Sequence, residues 1–446
     1  MNDKERLDLA EWAMQRALKS GATEVAVELV STRNVDVEVR DGNLDKLADA
    51  RQTGLDIDVY VDGRFSTNST DDLRKPELEK FIDDAVAGAR YLAPDVFRAL
   101  PDPRYYPEDT GGDLKTFDPA YEKIETEDRV KLARELEAAV RASAAEAGGA
   151  DKVVSTSGSY SDAHTELVRV HSNGFVGGAR GTRFDTSADV TVQDASGGRP
   201  DDWCGATTRH RRDLPDPIDM GQEAVRRALG KLGQRKIASG RYACLVEARA
   251  GRRLVRILQE PLGGRALQQK SSFLEGMMHK QVGSANLTLT DDPTLERGLA
   301  SRLFDGEGLA AKVMPVFDGG ILMNYYIDAY YARKMGAEPT TGWASNVVVK
   351  PGTRSLEAII KDIDRGILVQ GFIGGNSNST TGDFSMGVMG QLVESGQIVA
   401  AVNEMNISGN TRDFFMSLVE VGNDPYLYSS VMTPSLLFEG VHFSGI

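Results

Sequence analysis

At 446 residues, with 41% hydrophobic and 26% charged types, the chain is long enough for two or three domains with ordinary buried cores. Lys+Arg number 52 against 66 Asp+Glu, a formal net charge of -14. A field of that sign repels a phosphate backbone, so nucleic acid is not an expected partner. Two cysteines, Cys204 and Cys244, make no disulfide framework, and no stretch reaches the length of a membrane span.

The chain opens on MNDKERLDLAEWAMQRALKSG, charged and amphipathic, without the apolar run of a secretory signal. With the reducing cysteine usage, this points to the cytoplasm. Apolar spacing predicts a helix over 3–20, stopped by Gly21. The period then shortens to two. EVAVELV and VDVEVRDG read as strands, and GLDIDVYVDGR as a third that alternates apolar residues with aspartates and ends on the turn Asp62-Gly63. A helix over 75–92 completes an N-terminal α+β domain, 1–93.

The Pro- and Gly-rich run Pro94 to Pro119 marks a linker or crossing segment, 94–125. A long helix over 126–147, a meander (KVVSTSGSY, TELVRVHSNGF, ADVTVQD) and a helix over 218–233 make a second α+β region, 126–236. The order helix, strands, helix thus occurs twice, a hint of duplication. From RYACLVEA onward a larger β-rich domain is expected, 237–446, with short helices at 249–260, 327–335, 355–364 and 411–419. The fold class is therefore α+β.

Chemistry is harder to find. A hydrolytic zinc site needs about three protein ligands and a carboxylate for the water proton. The five histidines, 164, 171, 210, 279 and 442, include no pair at helical ligand spacing. No G-x-S-x-G elbow or phosphate loop occurs. Cys204 reads as an ordinary thiol.

Two segments stand out. In EARAGRRLVRILQEPLGG, Arg249, Arg252, Arg253 and Arg256 fall at i, i+3, i+4 and i+7, one face of a helix that Pro261 ends. Such a stripe is a solvated face, the lining of a cavity that meets carboxylates or, against the net charge of the chain, a DNA contact. The second is GFIGGNSNSTTGDFSMGVMG, 371–390. Its first part, 371–382 with Gly374, Gly375, Asn376, Ser377 and Asn378, reads as a polar loop, either plain surface or a cleft wall holding extended peptide. Asp383 and Glu404 are the carboxylates expected to line such a cleft.

The C-terminal blocks LERGLASRLFDGEGL (295–309), YYARKMG (330–336), TTGDFSMGVMGQLVESGQI (380–398), VNEMNISGN (402–410) and VGNDP (421–425) resemble those of the TldD/PmbA family, often labelled "modulator of DNA gyrase". The resemblance runs nearly end to end and in order. It implies two branches: a TldD-like zinc metalloprotease with H-E-x-x-x-H on a helix and a later cysteine ligand, and a PmbA/TldE-like partner lacking both. Here the corresponding helix reads RRLVRILQE, and no cysteine follows Cys244. The implied function is a non-catalytic subunit of a cytosolic protease complex acting on unfolded peptides. Zinc is expected only in a TldD-like partner, and no catalytic or metal residue in this chain. The assembly is a heterodimer with that partner or a homodimer. The alternatives are a gyrase- or nucleic-acid-associated regulator, or a homodimeric peptide-binding protein.

Overall fold

The computed structural model describes residues 2–446. Helix α1 (Asp3–Lys19) starts on a reciprocal cap: the Asn2 side chain accepts from the Glu5 N–H at 2.9 Å and the Glu5 carboxylate accepts from the Asn2 N–H at 2.8 Å. Strands β1 (Glu24–Arg40), β2 (Asn43–Val61) and β3 (Arg64–Thr70) follow, then α2 (Lys75–Ala89). EVAVELV and VDVEVRDG, expected as two strands, are one strand of 17 residues. The polar run Ser31 to Asn34 between them stays in the ladder because β2 and β4 (Val153–His171) pair with it on both sides.

The second region repeats the order: α3 (Thr126–Glu146), β4, β5 (Val176–Val192), β6 (Asp201–Thr208) and α4 (Pro217–Leu229). All six strands form one antiparallel sheet, β3-β2-β1-β4-β5-β6, with β1 against β4 at its centre. Residues 1–93 and 126–236 thus share a sheet, each giving one half. Odd-numbered β1 residues face the helices along the whole strand: Val25, Val27 and Leu29 pack under α1 and α2, and Val37 and Val39 pack against Tyr160 and Phe184 with α3. The opposite face carries the alternating aspartates and glutamates.

The C-terminal half runs β7 (Gly240–Val246), α5 (Ala248–Arg256), α6 (Gly264–Gln268), β8 (Leu289–Asp291), β9 (Met314–Asp318), β10 (Ile321–Leu322), α7 (Ala329–Met335), β11 (Val347–Val349), α8 (Leu356–Lys361), β12 (Arg365–Ser377), β13 (Asp383–Glu394), β14 (Gln397–Asn410), α9 (Thr411–Met416), β15 (Leu418–Val421), β16 (Val431–Met432) and β17 (Leu436–Ser444). One sheet has the order β14-β13-β12-β7-β17-β15. Its β14 also pairs with β17, Ile407 opposite Phe443, so the sheet closes on itself. A second sheet, β10-β9-β8-β11-β16, packs on the same apolar core. The architecture is α+β with a β-rich C-terminal part.

Two further expectations need correction. The helix expected over 249–260 ends at Arg256, before Pro261 is reached. There the bonding tightens: the Leu258 and Gln259 N–H groups donate to the Val255 and Arg256 carbonyls three residues back. The polar loop expected at 371–382 is mostly strand. Residues 371–377 continue β12 against β13 through two bulges, and only 378–382 turn. Gly374 and Gly375 take φ of 59° and 96° at the second bulge, so the glycines that read as loop are there for a bulged ladder.

The segment Pro94–Pro119 straps the halves together. Arg333 on α7 donates to the Phe97, Ala99 and Leu100 carbonyls, Ala310 N–H donates to the Tyr105 carbonyl, and Thr182 N–H donates to the Thr116 carbonyl.

Candidate functional site

Helix α5 leaves β7 and packs on β12, with Leu254, Val255 and Leu258 in the core. Its four arginines therefore point outward, yet they do different things. Arg249 reaches β6: Nη2 donates to Asp202 at 2.8 Å and Nη1 to the Trp203 carbonyl at 2.6 Å, with the guanidinium 4.4 Å from the Trp203 ring centre. Arg253 donates to the Gly374 carbonyl at the bulge of β12 and lies 6.0 Å from the Phe372 ring. Arg252 lies 5.7 Å from the Tyr426 ring. Arg256 is exposed.

Asp202 is 4% exposed and sits among three cations: Arg249, Arg227 at 3.5 Å and Lys231 at 3.0 Å. Arg227 in turn holds Glu247, the residue preceding α5, at 2.6 Å and Glu223 at 3.1 Å. Burial alone would raise the Asp202 carboxyl, but Arg249 and Arg227 outweigh it and hold the pKa down at about 2. This network joins α4 and β6 of the first sheet to the start of α5, so Arg249 is a structural tether.

Beside the tether opens a cleft of about 370 Å3. Its floor is the helix-free face of the first sheet, with Asp36, Glu38 and Asp185. Its far wall is Arg252, Tyr426 and Tyr428 from the C-terminal half. The free edge of β6 runs along it, and alternate carbonyls there are already taken: Asp201 by Lys231, Trp203 by Arg249 and Gly205 by the Tyr426 hydroxyl at 2.9 Å. The acids are held too. Asp36 faces Lys46 at 3.3 Å, and Asp185 accepts from Arg183 and from the Thr207 hydroxyl. Arg252 is different. Burial pulls its pKa below the ordinary guanidinium value; Tyr426 opposes this, and the neighbouring Arg256 and Arg249 add to it.

Of the residues singled out in the sequence, Arg252 alone lines this cleft. Gly374, Gly375, Asn376 and Ser377 lie in β12. Asn378 organises the hairpin turn, its side chain accepting from the Thr380 N–H at 2.9 Å. Asp383 accepts from the Thr381 hydroxyl at 2.8 Å and the Asn410 amide at 3.3 Å, closing the same turn. Glu404 sits at a bulge of β14 with φ of 53° and pairs with Lys236 at 3.4 Å. Asp383 is opposite Asn410, so Glu404 lies six residues along β14, about 20 Å away; the two carboxylates do not meet. Tyr426 and Tyr428 went unnoticed in the sequence. Alternate tyrosines in the short segment NDPYLYSS were the available signal.

The donor set does not fit a hydrolytic zinc ion. Among the described residues no group of three or more His, Cys, Asp and Glu could hold a metal. His164 lies tilted against the Phe117 and Tyr121 rings. His171 is 3% exposed beside Tyr106 and Phe175, and burial, with Arg169 nearby, pulls its pKa down to about 3. His210 Nε2 lies 2.8 Å from the Lys115 carbonyl. His279 and His442 stand on other elements.

Models of the first, central and C-terminal domains of the PmbA/TldA metallopeptidases match residues 25–89, 119–232 and 239–445. Metalloprotease PmbA of Escherichia coli is 29% identical over 431 residues, covering 96% of this chain and 93% of the relative. A Bacteroides thetaiotaomicron structure, described as a candidate modulator of DNA gyrase, superposes with a TM-score of 0.94 at 40% identity over the whole of both chains. TldE of Thermococcus kodakarensis shares the fold, with a TM-score of 0.85 at 20% identity, covering 98% of this chain and 100% of that one. The chain belongs to the PmbA/TldD metallopeptidase family.

Proposed function

We propose that this chain is a non-catalytic, PmbA/TldE-like subunit of a two-component cytosolic peptidase. A TldD-like subunit supplies the zinc and the water chemistry, and this chain helps to form the cavity that receives unfolded peptides. The observation that carries the reading is the charge of α5. A hydrolytic helix needs neutral imidazoles and a carboxylate facing one metal ion; α5 turns Arg252, Arg253 and Arg256 outward instead, and its flanking Glu247 is consumed by Arg227. Cationic guanidiniums repel a metal ion and attract the carboxylates of peptides or of a partner.

Native co-purification from the source cells tests this, with zinc counted per chain. A TldD-like chain in one-to-one ratio, with zinc following that chain, is the expected result. Stoichiometric zinc in this chain alone, or elution without any such partner, would overturn it.

A further inference from the structure

We propose that Arg252 is the receptor for a peptide carboxylate, and that the cleft before it takes the charged end of an unfolded chain. The choice of ligand rests on the peptide-handling reading above; the site itself requires no partner subunit.

The argument starts from an unfilled valence. Arg249 has Asp202, Arg253 has the Gly374 carbonyl and Arg227 has Glu247. Arg252 is half-buried in the cleft wall, and among the described residues its guanidinium meets the Tyr426 ring and no hydrogen-bond acceptor or carboxylate. A guanidinium carries five N–H donors in a planar fork that matches a carboxylate. Arg256 lies one turn along the same helix, so the pair repel each other, and a bound anion offsets that repulsion. The ring beside the fork is held in place. Tyr426 is anchored by its hydroxyl to Gly205 on β6, so the ring that Arg252 faces belongs to both halves of the molecule.

The rest of the cleft selects the kind of anion. Its floor carries Asp36, Glu38 and Asp185 with Lys46 held by Asp36, so it offers no run of free cations to a polyanion such as a nucleic acid. Of the two cations lining the cleft, Lys46 is held by Asp36 and Arg252 has no carboxylate, so the lining suits a zwitterion: a single carboxylate on Arg252, with N–H groups or an amine towards the sheet. The volume, about 370 Å3, is at the low end for a ligand pocket, the size of a peptide end rather than a folded surface. The carboxylate is either the chain terminus or an acidic side chain close to it.

Calorimetry on the isolated chain with three probes separates these: tetra-alanine as the free acid, its C-terminal amide, and the same amide with a glutamate in the third position. The free acid is expected to bind, and Arg252→Gln to weaken it about tenfold or more, the scale for losing a hydrogen-bonded charge pair. Arg252→Lys should restore part of the loss. Arg74→Gln, on an exposed arginine before α2, should leave it unchanged. Binding of the glutamate-bearing amide assigns the site to side-chain carboxylates, and its failure beside the free acid assigns it to the terminus. Equal binding of the acid and the plain amide, binding indifferent to Arg252, or no binding of any probe overturns the proposal. The outcome is separable from the subunit reading: Arg252-dependent binding without a co-purifying partner keeps this site and removes the complex, and the converse removes only the site.

Discussion

Arg249 on α5 and Asp202 on β6 form a buried ion pair between the first sheet and the C-terminal half, Nη2 to Oδ1 at 2.8 Å with Asp202 4% exposed. Removing the carboxylate leaves Arg249, Arg227 and Lys231 facing one another around a buried gap. Breaking a buried ionic cluster costs about 3–5 kcal/mol. Asp202→Ala is therefore expected to lower the melting temperature markedly, and Asp202→Asn, which keeps the shape, less so. Differential scanning calorimetry checks this; an unchanged Tm for the alanine variant would refute a tethering role.

The same pair sets an acid limit. Asp202 has an ordinary pKa of 3.8 and is held at about 2 in the fold. Its folded pKa lies below the unfolded one, so its stabilisation is fully present above about pH 4 and is lost as pH falls through 2. The size is roughly 2 kcal/mol. In acid titrations followed by circular dichroism, Asp202→Asn should narrow its stability gap to the parent as pH falls across that window. A constant gap contradicts the assignment.

Part of this was legible in the sequence and part was not. Alternation at Val35, Val37 and Val39 predicts a half-buried strand, and the structure has one. The same rule cut β1 in two at Ser31 to Asn34, because polar residues inside a ladder look like a boundary until both neighbouring strands are known. Glycines at 374 and 375 signal unusual backbone, but a bulge and a loop ask for the same residue. The stripe of arginines was visible as a helical face. Its division into tether, hairpin contact and open cation was not, since it depends on Asp202, Gly374 and Tyr426, distant in the chain. The family was carried by the C-terminal blocks, whose order survives without any geometry.

Glu307 offers a second pH dependence of opposite sign. Its carboxylate accepts from the Ala329 N–H at 2.7 Å at the start of α7. Burial pushes its pKa up from 4.5 to about 7; the Ala329 N–H opposes, and Asp328 and Asp305 add to the rise. The folded pKa exceeds the unfolded one, so the group favours the fold below about pH 4.5, and that contribution is lost as pH rises through 7. Glu307→Gln keeps an acceptor for Ala329 without the charge. Its Tm relative to the parent should be higher at about pH 8 than at about pH 5, and equal offsets at both would discount the burial of this carboxyl.

Cys204 lies next to the ionic cluster but is not an activated nucleophile. Burial, with Glu223 adding, pushes its thiol up to about 11 against the pull of Arg249 and Arg227. At about pH 8 roughly one thiol in a thousand is ionised. Cys244 is 0% exposed, and burial raises its thiol as well. Native protein is expected to react slowly with a chromogenic thiol reagent, and to release two equivalents once unfolded. Rapid modification of Cys204 in the native state would contradict this environment.

The bulge at Gly374–Gly375 determines how α5 meets the hairpin, and it is open to a direct test. Gly375 has φ of 96°, and a Cβ there would stand 2.5 Å from the Ser385 carbonyl oxygen and 2.7 Å from the Met386 Cα. Alanine is therefore excluded twice, by backbone conformation and by space. At Gly374 a Cβ meets nothing within 4 Å, and only its φ of 59° disfavours a side chain. Gly375→Ala should loosen the ladder between β12 and β13 beyond Ile373 and free Arg253 from the Gly374 carbonyl; Gly374→Ala should cost about 1 kcal/mol. Hydrogen exchange over 372–386 reads this directly. Faster exchange confined to that hairpin in the Gly375 variant, with β7 and the first sheet unchanged, is the expected pattern, because the closed sheet keeps its other pairings. Exchange that matches the parent would mean that the bulge is dispensable and that Arg253 is placed by α5 alone.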